Sequence, residues 1–151
     1  MESKTVGVLG GGQLGRMMAS AAHRMGVRIV VLDPAGANSP AAQAGAKSIE
    51  GSFRDEAKIR ELAAQVDVLT TEIEHVDTTV LAALEADGKA VFPAPSVIGL
   101  LQDKLDQKRA LRTAGVPTPE FLPAPNLDAV REAGRRFGYP FMLKSRRLAY
   151  D

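Results

Sequence analysis

Thr5-Val6-Gly7-Val8-Leu9-Gly10-Gly11-Gly12-Gln13-Leu14-Gly15 is the stretch on which the fold turns. Its first five residues are short, apolar and partly β-branched, and they stop at three glycines, as a parallel strand buried on both faces would. From Gln13 the period changes. Leu14, Met17, Met18, Ala21, Ala22 and Met25 recur at three- and four-residue spacing until Gly26, a natural helix stop. Val27 to Leu32 is a second apolar run, closed by Asp33 and Pro34, because proline cannot continue a ladder. A strand, a helix and a second strand are therefore complete within about thirty residues.

The alternation continues outward from that unit. Residues 41–46 read as a short helix, 48–51 as a strand, 55–65 as a helix and 66–70 as a strand. Residues 78–87 read as a helix and 89–92 as a fifth strand. Strands that alternate with helices predict an α/β, Rossmann-like parallel sheet with right-handed crossovers and helices on both faces. This first domain is expected to cover 1–95 and to close at Pro93-Ala94-Pro95. In 96–151 a connecting helical stretch (96–114) precedes a stiff linker (115–119). An amphipathic helix (127–137) and a strand (141–144) that opens a second domain follow.

Composition narrows the class. Apolar residues make up 45% and charged residues 25% of the chain, both ordinary for a soluble globular protein. The net charge of +1 comes from interspersed acids and bases, which argues against a nucleic-acid partner. There is no cysteine, so disulfides, thiolate metal sites and cysteine nucleophiles are excluded. The apolar run after Lys4 is too brief for a signal-peptide core or a membrane span, so no membrane partner and a cytoplasmic location are expected.

Gly10 to Gly15 satisfies GxGxxG directly after a strand and at the opening of a helix, where free backbone N–H groups and the positive helix end favour an anion, with phosphate as the expected guest. Asp33 ends the second strand, where a dinucleotide-binding fold places its ribose-binding carboxylate. On these two features alone the natural reading is an NAD(P)-dependent dehydrogenase domain. A plainer reading is also open: glycines that permit a tight turn, and an aspartate that caps one.

The fourth strand ends in Thr70-Thr71-Glu72-Ile73-Glu74-His75-Val76-Asp77, a polar run at the sheet edge where open α/β sheets bind ligands. If the run stays extended, Glu72 and Glu74 point to one side and Ile73 to the other. Glu72 is a candidate ligand contact, Glu74 is open between ligand and solvent, and Asp77 suits a helix cap. His23 and His75 are the only histidines, too few for a zinc site. His23 fits a helix surface, and His75 could orient Glu74 or contact substrate, or equally be a satisfied loop histidine.

Four segments in order, Val6 to Met17, Glu72 to Val76, Gln102-Asp103-Lys104 with Gln107-Lys108, and Phe141-Met142-Leu143-Lys144-Ser145-Arg146 with Tyr150-Asp151, resemble the N5-carboxyaminoimidazole ribonucleotide synthetases. Within that ATP-grasp family the wording is most similar to the synthetase half of the fungal bifunctional phosphoribosylaminoimidazole carboxylases. The resemblance implies a pre-ATP-grasp domain followed by the start of an ATP-grasp domain. It further implies a carbon–nitrogen ligase of purine biosynthesis in which ATP phosphorylates bicarbonate to carboxyphosphate and the amine of aminoimidazole ribonucleotide is then carboxylated.

By the same resemblance Gly10, Gly11, Gly12, Gln13, Leu14 and Glu72, with Glu74 as a further candidate, hold the ribonucleotide. Lys104 and Lys144 contact ATP, magnesium ligands and a phosphate-covering glycine loop are expected after Asp151, and the enzyme is a homodimer. Lysines suit phosphate as point charges. The chain is accordingly expected to be an inactive fragment of a longer ligase. A non-catalytic nucleotide-binding module is the remaining alternative, whereas a dehydrogenase would leave Gln102-Asp103-Lys104 and the last segment without a role.

Overall fold

The computed structural model of this chain describes residues 4–148, so Tyr150 and Asp151 of the last segment lie outside the described residues. Strands β1 (Thr5–Leu9), β2 (Arg28–Asp33), β3 (Lys47–Glu50), β4 (Val68–Thr71) and β5 (Ala90–Val91) form one all-parallel sheet in the order β3-β2-β1-β4-β5. The Rossmann-like α/β reading is therefore met.

Alternation along β1 explains why it lies at the centre. Val8 and Leu9 are both fully buried but face opposite sides. Leu9 joins Leu32, Leu69 and the helix residues Ile59, Leu62, Val80 and Leu81 in the larger core. Val8 joins Val31 and Ala41, with Met18 packed against them, in the smaller one. Helices α3 (Glu56–Ala64) and α4 (Thr78–Ala86) thus cover one face, and α1 (Gln13–Arg24) and α2 (Pro40–Gln43) the other. Each buried leucine or isoleucine contributes roughly 1.5–3 kcal/mol relative to exposure.

The strand order positions the site. From β1 the chain first builds outward to β2 and β3, then returns to the other side of β1 for β4 and β5. Leu9 and Thr71, the last residues of β1 and β4, pair side by side. Their two following loops therefore open together at the point where the order reverses, which is where open α/β sheets bind ligands.

The chain divides into two compact units, one up to Gly99 and one from Leu100. Helix α5 (Pro95–Leu101) is followed by α6 (Lys104–Thr113) and α7 (Leu127–Phe137). The helical stretch expected over 96–114 is thus two helices. Asp103 breaks it by taking an extended conformation, φ −120° and ψ 109°, and capping α6. The strand expected over 141–144 does not form, because a strand needs a ladder for its N–H and C=O groups and no other strand lies among the described residues after Leu100. None of the described helices is long and apolar enough to cross a membrane.

Candidate functional site

Gly10 leaves β1 with φ +99°, a left-handed turn that its amide secures on Leu32 O at 3.0 Å. Gly12 then serves as the N-cap of α1 without a side chain to offer the exposed first-turn amides. The missing acceptor comes from the neighbouring strand end. Glu72 Oε2 accepts from Gly12 N at 3.1 Å and Oε1 accepts from Leu14 N at 3.1 Å. The glycines are needed for this approach, since a Cβ on Gly10 would stand 2.7 Å from Glu72 Oε2 and one on Gly12 2.8 Å from Oε1.

Asp33 braces the other side of the loop. Its Oδ2 accepts from Gly11 N at 2.8 Å and its Oδ1 from Ala35 N at 2.8 Å, so the turn-capping reading of this residue is the one that its contacts fill. The expectation of free loop donors is therefore corrected: the amides of Gly11, Gly12 and Leu14 are taken by the protein's own carboxylates. Those of Gln13 and Gly15 are the first-turn donors that neither carboxylate takes. A carboxylate at a helix start is favourable because it offsets the positive end of the helix dipole, and for the same reason it discourages a second anion there.

The run after β4 is not extended, so the alternation expected for Glu72 and Glu74 does not apply. Thr71 Oγ1 donates to Ile73 O and accepts from Ile73 N at 3.2 Å, and Val76 N donates to Glu74 O at 2.9 Å. This turn sends Glu72 alone to the glycine loop. Glu74 lies beside the buried His75, Oε1 to Nε2 3.9 Å, and Arg54 Nε donates to His75 O at 3.2 Å. Asp77 caps α4 through Thr79 N and Val80 N. Gln13 and Leu14 stand exposed at the start of α1, beside the half-buried Glu72.

In the unit after Leu100, Lys104 opens α6 half-buried and Lys144 is exposed. Both ammonium groups suit a phosphate, a role that needs solvent-reachable point charges. Asp103, which precedes Lys104 and entered the sequence reading only as part of a matching segment with no role of its own, is only 2% exposed. Its Oδ1 accepts from Leu105 N (3.0 Å), Asp106 N (3.2 Å) and Arg146 Nε (3.0 Å), and its Oδ2 from Arg146 Nη2 (2.6 Å) and Arg147 Nε (3.2 Å). The Arg146 guanidinium holds the Asp103 carboxyl well below the usual carboxylate range against the opposing effect of burial, with the Asp106 and Leu105 amides adding to it. Standing inside the stretch read as helical over 96–114, it gave no signal of a cap, and its arginines, more than forty residues on by sequence separation, gave none either.

Residues 3–102 match the family of ribonucleotide synthetase preATP-grasp domains. The chain is 49% identical over 152 residues to a phosphoribosylaminoimidazole carboxylase of Schizosaccharomyces pombe, covering 99% of this chain and 27% of that one. Among solved structures it is similar to the N5-carboxyaminoimidazole synthase of Aspergillus clavatus in complex with ADP and 5-aminoimidazole ribonucleotide (TM-score 0.82, 39% identity, 98% of this chain and 41% of that one). It is also similar to the N5-carboxyaminoimidazole ribonucleotide synthetase of Thermotoga maritima (TM-score 0.85, 37% identity, 97% and 39%). The chain thus spans between about a quarter and two fifths of the length of these relatives.

Proposed function

Since this chain belongs to the family of ribonucleotide synthetase preATP-grasp domains, we propose that it supplies the ribonucleotide-binding part of an ATP-grasp ligase of purine biosynthesis. The reaction is the ATP- and bicarbonate-dependent carboxylation of 5-aminoimidazole ribonucleotide to N5-carboxyaminoimidazole ribonucleotide. One observation carries the reading: the Glu72 carboxylate is fixed on the Gly12 and Leu14 amides where β1 and β4 end side by side.

Each oxygen of an ionised carboxylate has a second acceptor site, so Glu72 can keep both amides and still accept from two hydroxyls of a ribose. Being held already, it loses little freedom when the sugar arrives. Gly10, Gly11, Gly12, Gln13 and Leu14 form the wall beside it, and Glu74 contributes through its contact with His75. The ribonucleotide's phosphate is held away from this helix end, where Glu72 already supplies the negative charge.

Lys104 and Lys144 are assigned to ATP, whose phosphoryl transfer to bicarbonate activates the carbon that the substrate amine attacks. Phosphoryl transfer asks the protein chiefly for position and positive charge, and magnesium bound with ATP adds to that charge. No magnesium ligand is assigned, since no group of three or more His, Asp or Glu able to hold a metal gathers among the described residues.

The test is steady-state ADP release by a polypeptide of the relatives' length that carries this chain. Release that requires both bicarbonate and aminoimidazole ribonucleotide, and falls on Glu72→Ala through a higher KM for the ribonucleotide, is the expected result. Release indifferent to the ribonucleotide would overturn the assignment.

A further inference from the structure

We infer that Asp103 is a positioning residue for the ATP-binding lysines, acting by locking the segment that carries Lys144 onto the start of α6 before nucleotide arrives. This rests on the reading above that Lys104 and Lys144 contact ATP.

The geometry that points to it is local to the unit after Leu100. A single buried carboxylate caps α6 through two amides and grips Arg146 in a two-pronged pair, with Arg147 on the same oxygen that takes Arg146 Nη2. The backbone is tied at the same place, since Lys104 N donates to Arg146 O at 2.9 Å. The start of α6 and the residue two positions after Lys144 are therefore joined twice, by the Asp103 side chain and by the Lys104 main chain. Lys144 itself lies in a stretch with no helix or strand to hold it, and it is exposed. A flexible lysine on such a stretch gains little from a phosphate unless its backbone is fixed first, because ordering a residue costs about 1–2 kcal/mol of backbone entropy alone.

The clamp also assigns the basic run Lys144-Ser145-Arg146-Arg147. Both guanidinium groups are turned to Asp103, and Arg146 reaches Asp106 Oδ2 at 3.5 Å as well. Within this run Lys144 is left as the cation for a phosphate, and the arginines serve it indirectly. Arginine is suited to that task and lysine is not, since only the planar guanidinium presents two parallel donors to a carboxylate.

The experiment uses the longer polypeptide described above and three variants. Asp103→Asn keeps a good helix cap and loses the ionic grip. Arg146→Lys keeps the charge and loses the two-pronged geometry. Lys144→Ala reports on the ATP assignment itself. The expected result is that Asp103→Asn and Arg146→Lys each raise the KM for ATP by about tenfold or more, the scale on which small misplacements of a binding group are felt. The KM for aminoimidazole ribonucleotide should stay unchanged, and the double variant should be no worse than the more damaged single one. Equal rises in both KM values would mark Asp103 as a general structural residue and overturn the inference, as would an unchanged KM for ATP while Lys144→Ala raises it. If Lys144→Ala also leaves ATP use unchanged, the ATP assignment fails, and the inference with it.

Discussion

The Glu72 carboxylate reaches the Leu14 amide at 3.1 Å across 58 residues of sequence, and its other oxygen takes Gly12 N. The positive end of α1 is thereby occupied by a charge that the protein carries with it. Inorganic phosphate at millimolar concentration is expected to leave the amide resonances of Gly11 to Gly15 unmoved in an NMR titration. Glu72→Ala frees two donors, so shifts at Gly12 to Gly15 should appear in that variant. Removal of a cap of this kind should also cost about 1 kcal/mol in urea denaturation. Shifts of equal size in both proteins would mean that Glu72 does not guard the helix end.

The same charge bears on the dehydrogenase alternative. A dinucleotide fold seats pyrophosphate on the helix N-terminus after the glycine loop. Here a bound pyrophosphate would meet the Glu72 carboxylate at that place. NADH is accordingly expected to show no micromolar binding by fluorescence or calorimetry, and a measured affinity of that order would contradict it.

Asp103 gives a pH dependence with a definite sign. Its carboxyl is held low in the folded chain, first by the Arg146 hydrogen bonds. A depressed folded value means that the stabilisation is fully present above the unfolded carboxylate range near about pH 4 and is lost as pH falls below it toward the folded value. Asp103→Asn should therefore be less stable than the parent at pH 7 in urea denaturation, with the gap narrowing as the pH is taken down through that range. A gap that widens on acidification would show that the pair does not stabilise the fold.

For the lysines, Lys144→Ala in the longer polypeptide should lower bicarbonate- and ribonucleotide-dependent ADP release by about 100-fold, the scale lost with one transition-state charge partner. Lys104→Ala should act in the same direction but less, since its half-buried place at the start of α6 leaves Lys108 within two helical turns. Steady-state ADP production, with thermal melting as a folding control, measures both. Near-normal turnover by folded Lys144→Ala would remove Lys144 from the ATP site.

Much of the fold was legible because its signals are local. Helix α7 is read to the residue from its amphipathic spacing, and the structure adds the cap at Asn126 and the stop at Gly138, where φ is +74°. The break between α5 and α6 was missed because Asp103 stands inside a run of helix formers, and its side chain rather than its propensity ends the run. The expected strand at 141–144 failed because an apolar run becomes a strand only where a ladder receives it. The glycine loop and Glu72 were both legible as candidates, but not their contact. Nothing within either segment says that the acid at 72 will fill the donors at 12 and 14, since that follows from β4 lying next to β1 in the sheet. The partner of Arg146 and Arg147 was hidden for the same reason: their acceptor is far away in sequence.

The space at Gly10 and Gly12 is claimed by Glu72, and either residue with a side chain would expel the carboxylate. A glycine fingerprint of this kind therefore records the close approach of a negative group to bare backbone, and is silent on whether that group belongs to a ligand or to the polypeptide. For this architecture the distance between a sugar-reading domain and a phosphate-reading one is then as short as a single acid. Loss of the carboxylate at 72 would return the helix end to whatever anion diffuses in, with the glycines already in place. Evolution or a protein engineer could take that step in either direction without rebuilding the sheet.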